Sequence, residues 1–261
     1  MRKLLLLLCI FSAATWAQCS NTSYSNGFTC VKSIGLIQGG AGSTATATFG
    51  SNTSAGNQVL LVGFVCGNSS CNADTSGITL TFSNGASDSC TAMTGGATVF
   101  GDGSSRWKAH ACLFTSTSAT TTYTVTASGG TPYYLTAYAS EWTGIATSSP
   151  WDVVAASFQV GGTYSSATVT TGTTGNATDL VVGFVALNDA NNVSPGSGFT
   201  EILETSAGVE LEGKSVAATG TQSCTWSFSN TASWQGLCMT LKAGSGGGGE
   251  TVIRRRTIII Q

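Results

Sequence analysis

The sequence predicts an all-β protein, a β-sandwich built from two sequence-similar halves, and three observations predict it. Apolar residues arrive in short β-branched and aromatic runs broken by Gly, Asn and Ser, and no stretch carries a 3.6-residue apolar period. The hexapeptide LLVGFV at residues 60–65 returns as LVVGFV at residues 180–185. Charged residues make up only 8% of the chain, against a usual ~25%, while Thr, Ser, Gly and Ala dominate.

In the first half the runs predict strands at residues 31–38, 43–49, 58–66, 78–83, 106–115, 121–128 and 133–142, with matching runs from 153 to 243. In TTTYTVTAS, Tyr123 and Val125 point one way and the threonines the other, the alternation of a half-buried strand. VLLVGFV is apolar throughout, which suits a central strand covered on both faces. The repeat extends beyond this strand. GGAGSTATAT (39–48) aligns with GGTYSSATVT (161–170), SGIT (76–79) with SGFT (197–200), and TYTVTAS (122–128) with SCTWSFS (223–229). Blocks in a fixed order mark a repeated structural unit, and the fall in their spacing from 122 and 121 residues to 101 for the last block means that the second copy lacks about twenty residues near Cys90 to Cys112. The halves are placed at 28–145 and 150–243, either as one jelly-roll-like unit or as two closely packed immunoglobulin-like sandwiches. The link ATSSPW between them is too short to act as a free tether.

Residues 1–17 read as a secretory signal peptide, with basic Arg2 and Lys3, an apolar run from Leu4 to Phe11, and cleavage expected after Ala17. No other run approaches the ~18 apolar residues of a membrane span. Eight cysteines then remain, an even number for an oxidising compartment, and the repeat sorts them. Cys66 and Cys71 belong to one loop, Cys90 and Cys112 bracket a segment the second half lacks, Cys224 and Cys238 have no counterpart in the first half, and Cys19 is left for Cys30. With a single histidine and no paired CxxC, a zinc site is not expected.

Residues 18–243 carry five basic and eleven acidic side chains, a net charge of about −6, which argues against nucleic acid and other polyanions as partners. Catalysis is not expected. His110 reads as an exposed or hydrogen-bonded strand residue with no assignable nucleophile. A carboxylate pair for glycoside hydrolysis would have to come from Glu141, Asp152, Glu201, Glu204, Glu210 and Glu212, and nothing singles two of them out. In GVELEGK the alternation of Glu210 and Glu212 with Val209 and Leu211 predicts a solvated strand face.

Binding is better supported. The loops after the two LVGFV strands are equivalent and polar, and loops on a rigid scaffold carry recognition. Their candidate contacts are Asn68, Asp74, Asn188, Asp189, Asn191 and Asn192. No cofactor is expected; calcium or sugar hydroxyls at Asp189, Asn191 and Asn192 compete with a purely conformational role for Asn-rich turns. Trp107, Tyr133, Tyr134, Trp142, Trp151, Trp226 and Trp234 either stack on sugar rings or fill the core. After the flexible linker AGSGGGG (243–249) comes ETVIRRRTIIIQ, a basic, β-prone tail. Its Arg254, Arg255 and Arg256 would meet a protein partner by strand addition, or an anionic surface, and a frayed terminus without a partner is an equal alternative.

The succession QVLLVGFV, YYLTAYASEWTGIATSSPWDVVAAS, TDLVVGFV, PGSGFTEILE and SWQGLCMTLKA resembles secreted bacterial Ser/Thr/Gly-rich duplicated β-sandwich modules of unassigned function, over residues 30–243. The resemblance rests on Glu141, Gly144, Pro150 and Asp152 between the halves. It implies an extracellular or envelope-displayed module, transfers no catalytic residue, and leaves the cysteines and the arginine tail as departures. Residues and resemblance together lead to the expectation of a secreted or surface-displayed, non-catalytic adhesion module that binds a glycan or another envelope component. The rival readings are a carbohydrate-active enzyme and an appendage subunit assembled through its tail.

Overall fold

A computed structural model of the chain describes residues 18–39, 42–67, 75–95, 98–100, 107–130, 132–188, 192–205 and 208–244. The first half supplies β1 (Ser20–Ser23), β2 (Thr29–Gly39), β3 (Thr44–Thr48), β4 (Gln58–Cys66), β5 (Thr79–Asn84), β6 (Thr91–Ala92), β7 (Thr98–Phe100), β8 (Trp107–Phe114), β9 (Thr122–Ser128) and β10 (Tyr134–Thr143). The second supplies β11 (Trp151–Thr173), β12 (Asp179–Leu187), β13 (Val193–Pro195), β14 (Thr200–Thr205), β15 (Val209–Ser215) and β16 (Thr221–Lys242). The protein is an all-β sandwich, and apart from one 3-10 turn at Ser25–Gly27 its described elements are strands.

The strands form stacked antiparallel layers. One inner sheet runs β1-β2-β10-β4-β8-β6, with β7 also on β8; the other runs β11-β16-β12-β15-β14. The order β2-β10-β4-β8 in the first is thus echoed by β11-β16-β12-β15 in the second. Outside the first inner sheet lies a three-stranded sheet, β3-β9-β5. Outside the second, the far arms of β11 and β16 pair with each other (Ser166↔Ser227, Thr170↔Ser223), and that of β16 also pairs with β13 (Val193↔Phe228).

This layering explains why the LVGFV strands are apolar at every position. Leu60, Val62 and Phe64 face Leu180, Val182 and Phe184 in a core shared by the two inner sheets, where the Phe64 and Phe184 rings approach to 6.4 Å. The alternate residues point the other way. Val59, Leu61 and Val65 pack beneath Tyr123 and Val125 of the outer sheet, and Val181 and Val185 beneath Val169, Trp226 and Phe228. A strand alternates its faces with period two, so a strand covered twice needs apolar residues at both parities. The glycine in each motif admits the outer layer: a Cβ on Gly63 would lie 2.7 Å from Val125, and one on Gly183 would lie 2.7 Å from Trp226.

Seven strands fall within a residue or two of their predicted limits, and β4 coincides with its prediction. Three differences are informative. β1, β6 and β7, of four, two and three residues, are too short to register as strands. β11 and β16 are single strands of 23 and 22 residues that turn a corner and serve an inner and an outer layer, with register shifts around Gln159 and Tyr164 and a left-handed Gly161 (φ 114°) at the bend. The alignment of SGIT with SGFT also fails as pairing. β5 joins the outer sheet, whereas β14 closes an edge of the inner one and puts Ile202 and Leu203 into the shared core.

Three expected disulfides are present, Cys19–Cys30, Cys90–Cys112 and Cys224–Cys238. Cys66 is disulfide-bonded as well, and Cys71, its expected partner, lies outside the described residues. Cys224–Cys238 joins the outer arm of β16 to its inner arm. No helix among the described residues is long and apolar enough to cross a membrane.

Candidate binding end of the sandwich

Strand direction decides where the two candidate loops lie. The ends of β10 and β16 meet at the bridge Ile145↔Ala243, and Gly244 N–H donates to the Gly144 carbonyl at 2.8 Å. Since β4 is antiparallel to β10 (Gln58↔Trp142) and β12 to β16 (Asp179↔Lys242), β4 and β12 both start at that end and run away from it together. The loops that follow them, residues 67–74 and 188–192, therefore leave from the same far end of the sandwich.

At that far end, Tyr133 stands 38% exposed and makes an edge-to-face pair with Tyr134, ring centroids 4.7 Å apart. Tyr133 N–H donates to the Cys66 carbonyl at 2.8 Å, which fixes the pair beside the end of β4. In the second loop, Asn188 Oδ1 accepts from Ser233 N–H at 2.9 Å, and Asn188 N–H donates to the Ser233 carbonyl at 3.1 Å. Asn188 thus shapes the turn. Asn192 is exposed, tied to Ser229 through its own backbone. Asn68, Asp74, Asp189 and Asn191 lie outside the described residues, as do residues 1–17 and Arg254, Arg255 and Arg256.

Of the seven aromatic candidates, five belong to the core. Trp107, Trp142, Trp151, Trp226 and Trp234 are each at most 5% exposed. His110 corrects an expectation. It is buried rather than exposed, its Nδ1 has no hydrogen-bond partner, and its ring packs edge-on against Phe82 at 5.2 Å. Burial, then the charge of Lys108, lowers its pKa below 6.5.

The six carboxylates named from the sequence do not meet in one groove. Glu141 Oε1 accepts from Ser54 N–H and Asn57 Nδ2, both at 2.7 Å, and Oε2 pairs with Lys32 at 3.3 Å, so it holds the turn before β4. Asp152 Oδ2 accepts from Gly175 and Asn176 N–H (2.6 and 3.2 Å) and holds the turn before β12. Neighbouring Asp179 is fully buried, neither of its oxygens has a hydrogen-bond partner, and it is pushed up to about 7, first by burial and then by the adjacent Asp152 carboxylate. The other residues of the resemblance are architectural too. Gly144 takes φ 89° against the Gly27 carbonyl, and the Pro150 carbonyl accepts from Lys242 N–H at 2.8 Å.

The remaining four carboxylates are together. Glu201 and Glu204 on β14 face Glu212 and Glu210 on β15. Glu210 and Glu212 are completely buried, which corrects the expectation of a solvated face: the outer arm of β16 and the β13 segment cover what a two-layer sandwich would leave in water. Glu212 accepts from Gly196 N–H at 2.8 Å and Thr225 N–H at 3.2 Å, Glu204 accepts from Val193 N–H at 3.1 Å, and neither oxygen of Glu210 has a partner. No group of His, Cys, Asp or Glu among the described residues has the arrangement of a metal site. A cleft of about 490 Å³ lies at the opposite end from the loops, between the link at residues 145–148, Asn176 and Lys242.

The chain matches no protein-family profile, no curated protein and no solved structure.

Proposed function

We propose that the protein is a secreted, non-catalytic binding module that engages a glycan of an extracellular surface with the end of the sandwich carrying residues 67–74 and 188–192. The observation that carries the reading is the Tyr133–Tyr134 pair, one ring exposed and anchored to Cys66, at the end where both post-LVGFV loops leave the scaffold. Exposed aromatic faces stack on the apolar faces of sugar rings, and loops at one end of a sandwich form one recognition surface. Disulfides spanning 11, 22 and 14 residues suit an oxidising compartment and limit the entropy of the unfolded chain. Two hydrolytic carboxylates must flank a bound sugar, whereas Glu210 and Glu212 are sealed and Glu141 and Asp152 hold turns.

The test is retention of oxidised residues 18–261 on a panel of soluble and insoluble polysaccharides, with released reducing sugar assayed in the same tubes. Retention without release, lost in Tyr133→Ala but not in Trp234→Phe, is the expected result. Sugar release would replace the reading with an enzymatic one, and failure of every glycan to retain the protein would remove it.

A further inference from the structure

β13 is three residues long, and its attachment is unusual. One face of the contact is the pairing to β16 (Val193↔Phe228, Ser194↔Ser227, Pro195↔Trp226). The other consists of carboxylates: Glu204 receives Val193 N–H, and Glu212 receives Gly196 N–H on one oxygen and Thr225 N–H on the other. Glu212 therefore bridges the end of the β13 segment to the outer arm of β16. Beside these two anchors sits Glu210, 0% exposed, opposite Glu204, with no donor for either oxygen.

A carboxylate in that position is tolerable only with its proton on. Transfer of an unpaired negative charge into such a site is strongly unfavourable, so the group stays neutral or the site opens to water. Charge of the opposite sign is scarce. Among the described residues the ionisable groups on this face are Glu201 and Glu204 from β14, and Glu210, Glu212 and Lys214 from β15. β12 presents Val181, Gly183 and Val185, while β13 and the outer arm of β16 bring no ionisable side chain. Lys214 lies over the Phe199 ring, 4.3 Å from its centroid, and its charge bears on Glu212 but is not among those that act on Glu210.

We propose that the four glutamates form a proton-held latch, which fastens β13 and the Gly196 turn to the sandwich while Glu210 is protonated and releases them when that proton is lost. The order of proton loss follows from the surroundings. Glu212 is pushed up to about 7 by burial, against the help of the Gly196 and Thr225 N–H groups. Glu210 is pushed further, to about 9, by burial and then by the charges of Glu212, Glu201 and Glu204. Loss of the Glu212 proton strengthens its hydrogen bonds; loss of the second puts two adjacent charges in a sealed site, and release relieves both. The latch rests on hydrogen bonds and burial alone and does not depend on what the loops bind.

Hydrogen exchange on the full chain without ligand tests it. After correction for intrinsic rates, protection of the Val193, Gly196 and Thr225 amides should fall at least tenfold between pH 7 and pH 10, while that of Val62 in β4 does not. Glu210→Gln, which keeps the shape and cannot ionise, should abolish the selective fall. Should Glu210→Gln fail to fold, the wild-type comparison of β13 with β4 still decides, because equal loss in both would be global unfolding and no loss would leave no latch. An unchanged selective fall in a folded Glu210→Gln protein would also overturn it, and since no glycan is present, failure of the polysaccharide assay leaves this outcome untouched.

Discussion

Glu210 and His110 show how a buried ionisable side chain writes itself into the pH dependence of stability, with opposite signs. The folded state raises Glu210 from its ordinary 4.5 to about 9. Its contribution is therefore full below pH 4.5 and declines as pH rises to about 9, because over that interval the unfolded chain has released a proton the native state still holds. Glu212 and Asp179, both raised to about 7, act in the same sense over a narrower window. His110, lowered from 6.5 by burial, contributes fully above 6.5 and loses that contribution as pH falls. Between pH 7 and pH 9 Glu210 acts without these three. The melting temperature should decline through that interval in the wild type and stay level in Glu210→Gln, with the acid limb of the two proteins unchanged relative to each other; parallel alkaline limbs would refute the assignment.

Single residues act through the strand that carries them, and the LVGFV strands set the tolerance. The two glycines occupy equivalent positions, yet their covers differ. A Cβ on Gly63 meets one Val125 methyl at 2.7 Å but the other and the partly buried Phe82 only at 3.2 and 3.3 Å; one on Gly183 meets the Trp226 ring at 2.7 Å and two atoms of the buried Glu212 side chain at 2.9 Å, so all three contacts are severe. Overpacking of this kind costs about 1–3 kcal/mol. Gly183→Ala should lie at the upper end and Gly63→Ala at the lower, read from urea midpoints at constant m; a larger loss at Gly63 would mean that the outer three-stranded sheet is the more rigid cover. The strands themselves were legible because double coverage leaves apolar residues at both parities, and single coverage, as in β9, leaves alternation. Covered polar residues were not. GVELEGK alternates as a solvated strand would, and its burial depends on the outer arm of β16, which follows only after several intervening residues. The clue that could have been used is adjacency: a strand next to one covered on both faces shares its lid. The same limit explains the tryptophans, whose burial depends on layers that strand parity does not reveal, whereas Tyr133, at the last position before β10, stayed exposed.

At the scale of the whole molecule, the inner sheets are each other's solvent shield. Leu60, Val62, Phe64, Leu113 and Tyr138 of the first half and Leu180, Val182, Phe184, Leu237 and Met239 of the second all lie in one buried cluster. Separating the halves would return these side chains to water at roughly 1.5–3 kcal/mol for each large one, a total larger than the 5–15 kcal/mol stability of an ordinary domain. The edges are fastened as well, by Cys19 N–H and the Ser33 hydroxyl on the Ile202 carbonyl at one side, and by the Trp151 indole on the Thr91 carbonyl at the other. Residues 18–145 or 150–243 expressed alone should therefore not fold, and the intact chain should melt in a single transition whose calorimetric and van't Hoff enthalpies agree. Phe184→Ala, a loss of about 3–5 kcal/mol in the middle of the shared cluster, should lower that one transition without splitting it. If the variant instead melted in two steps, with the first half surviving the second, each half would have to be stable on its own outer core, and the shared face would be an interface between two domains.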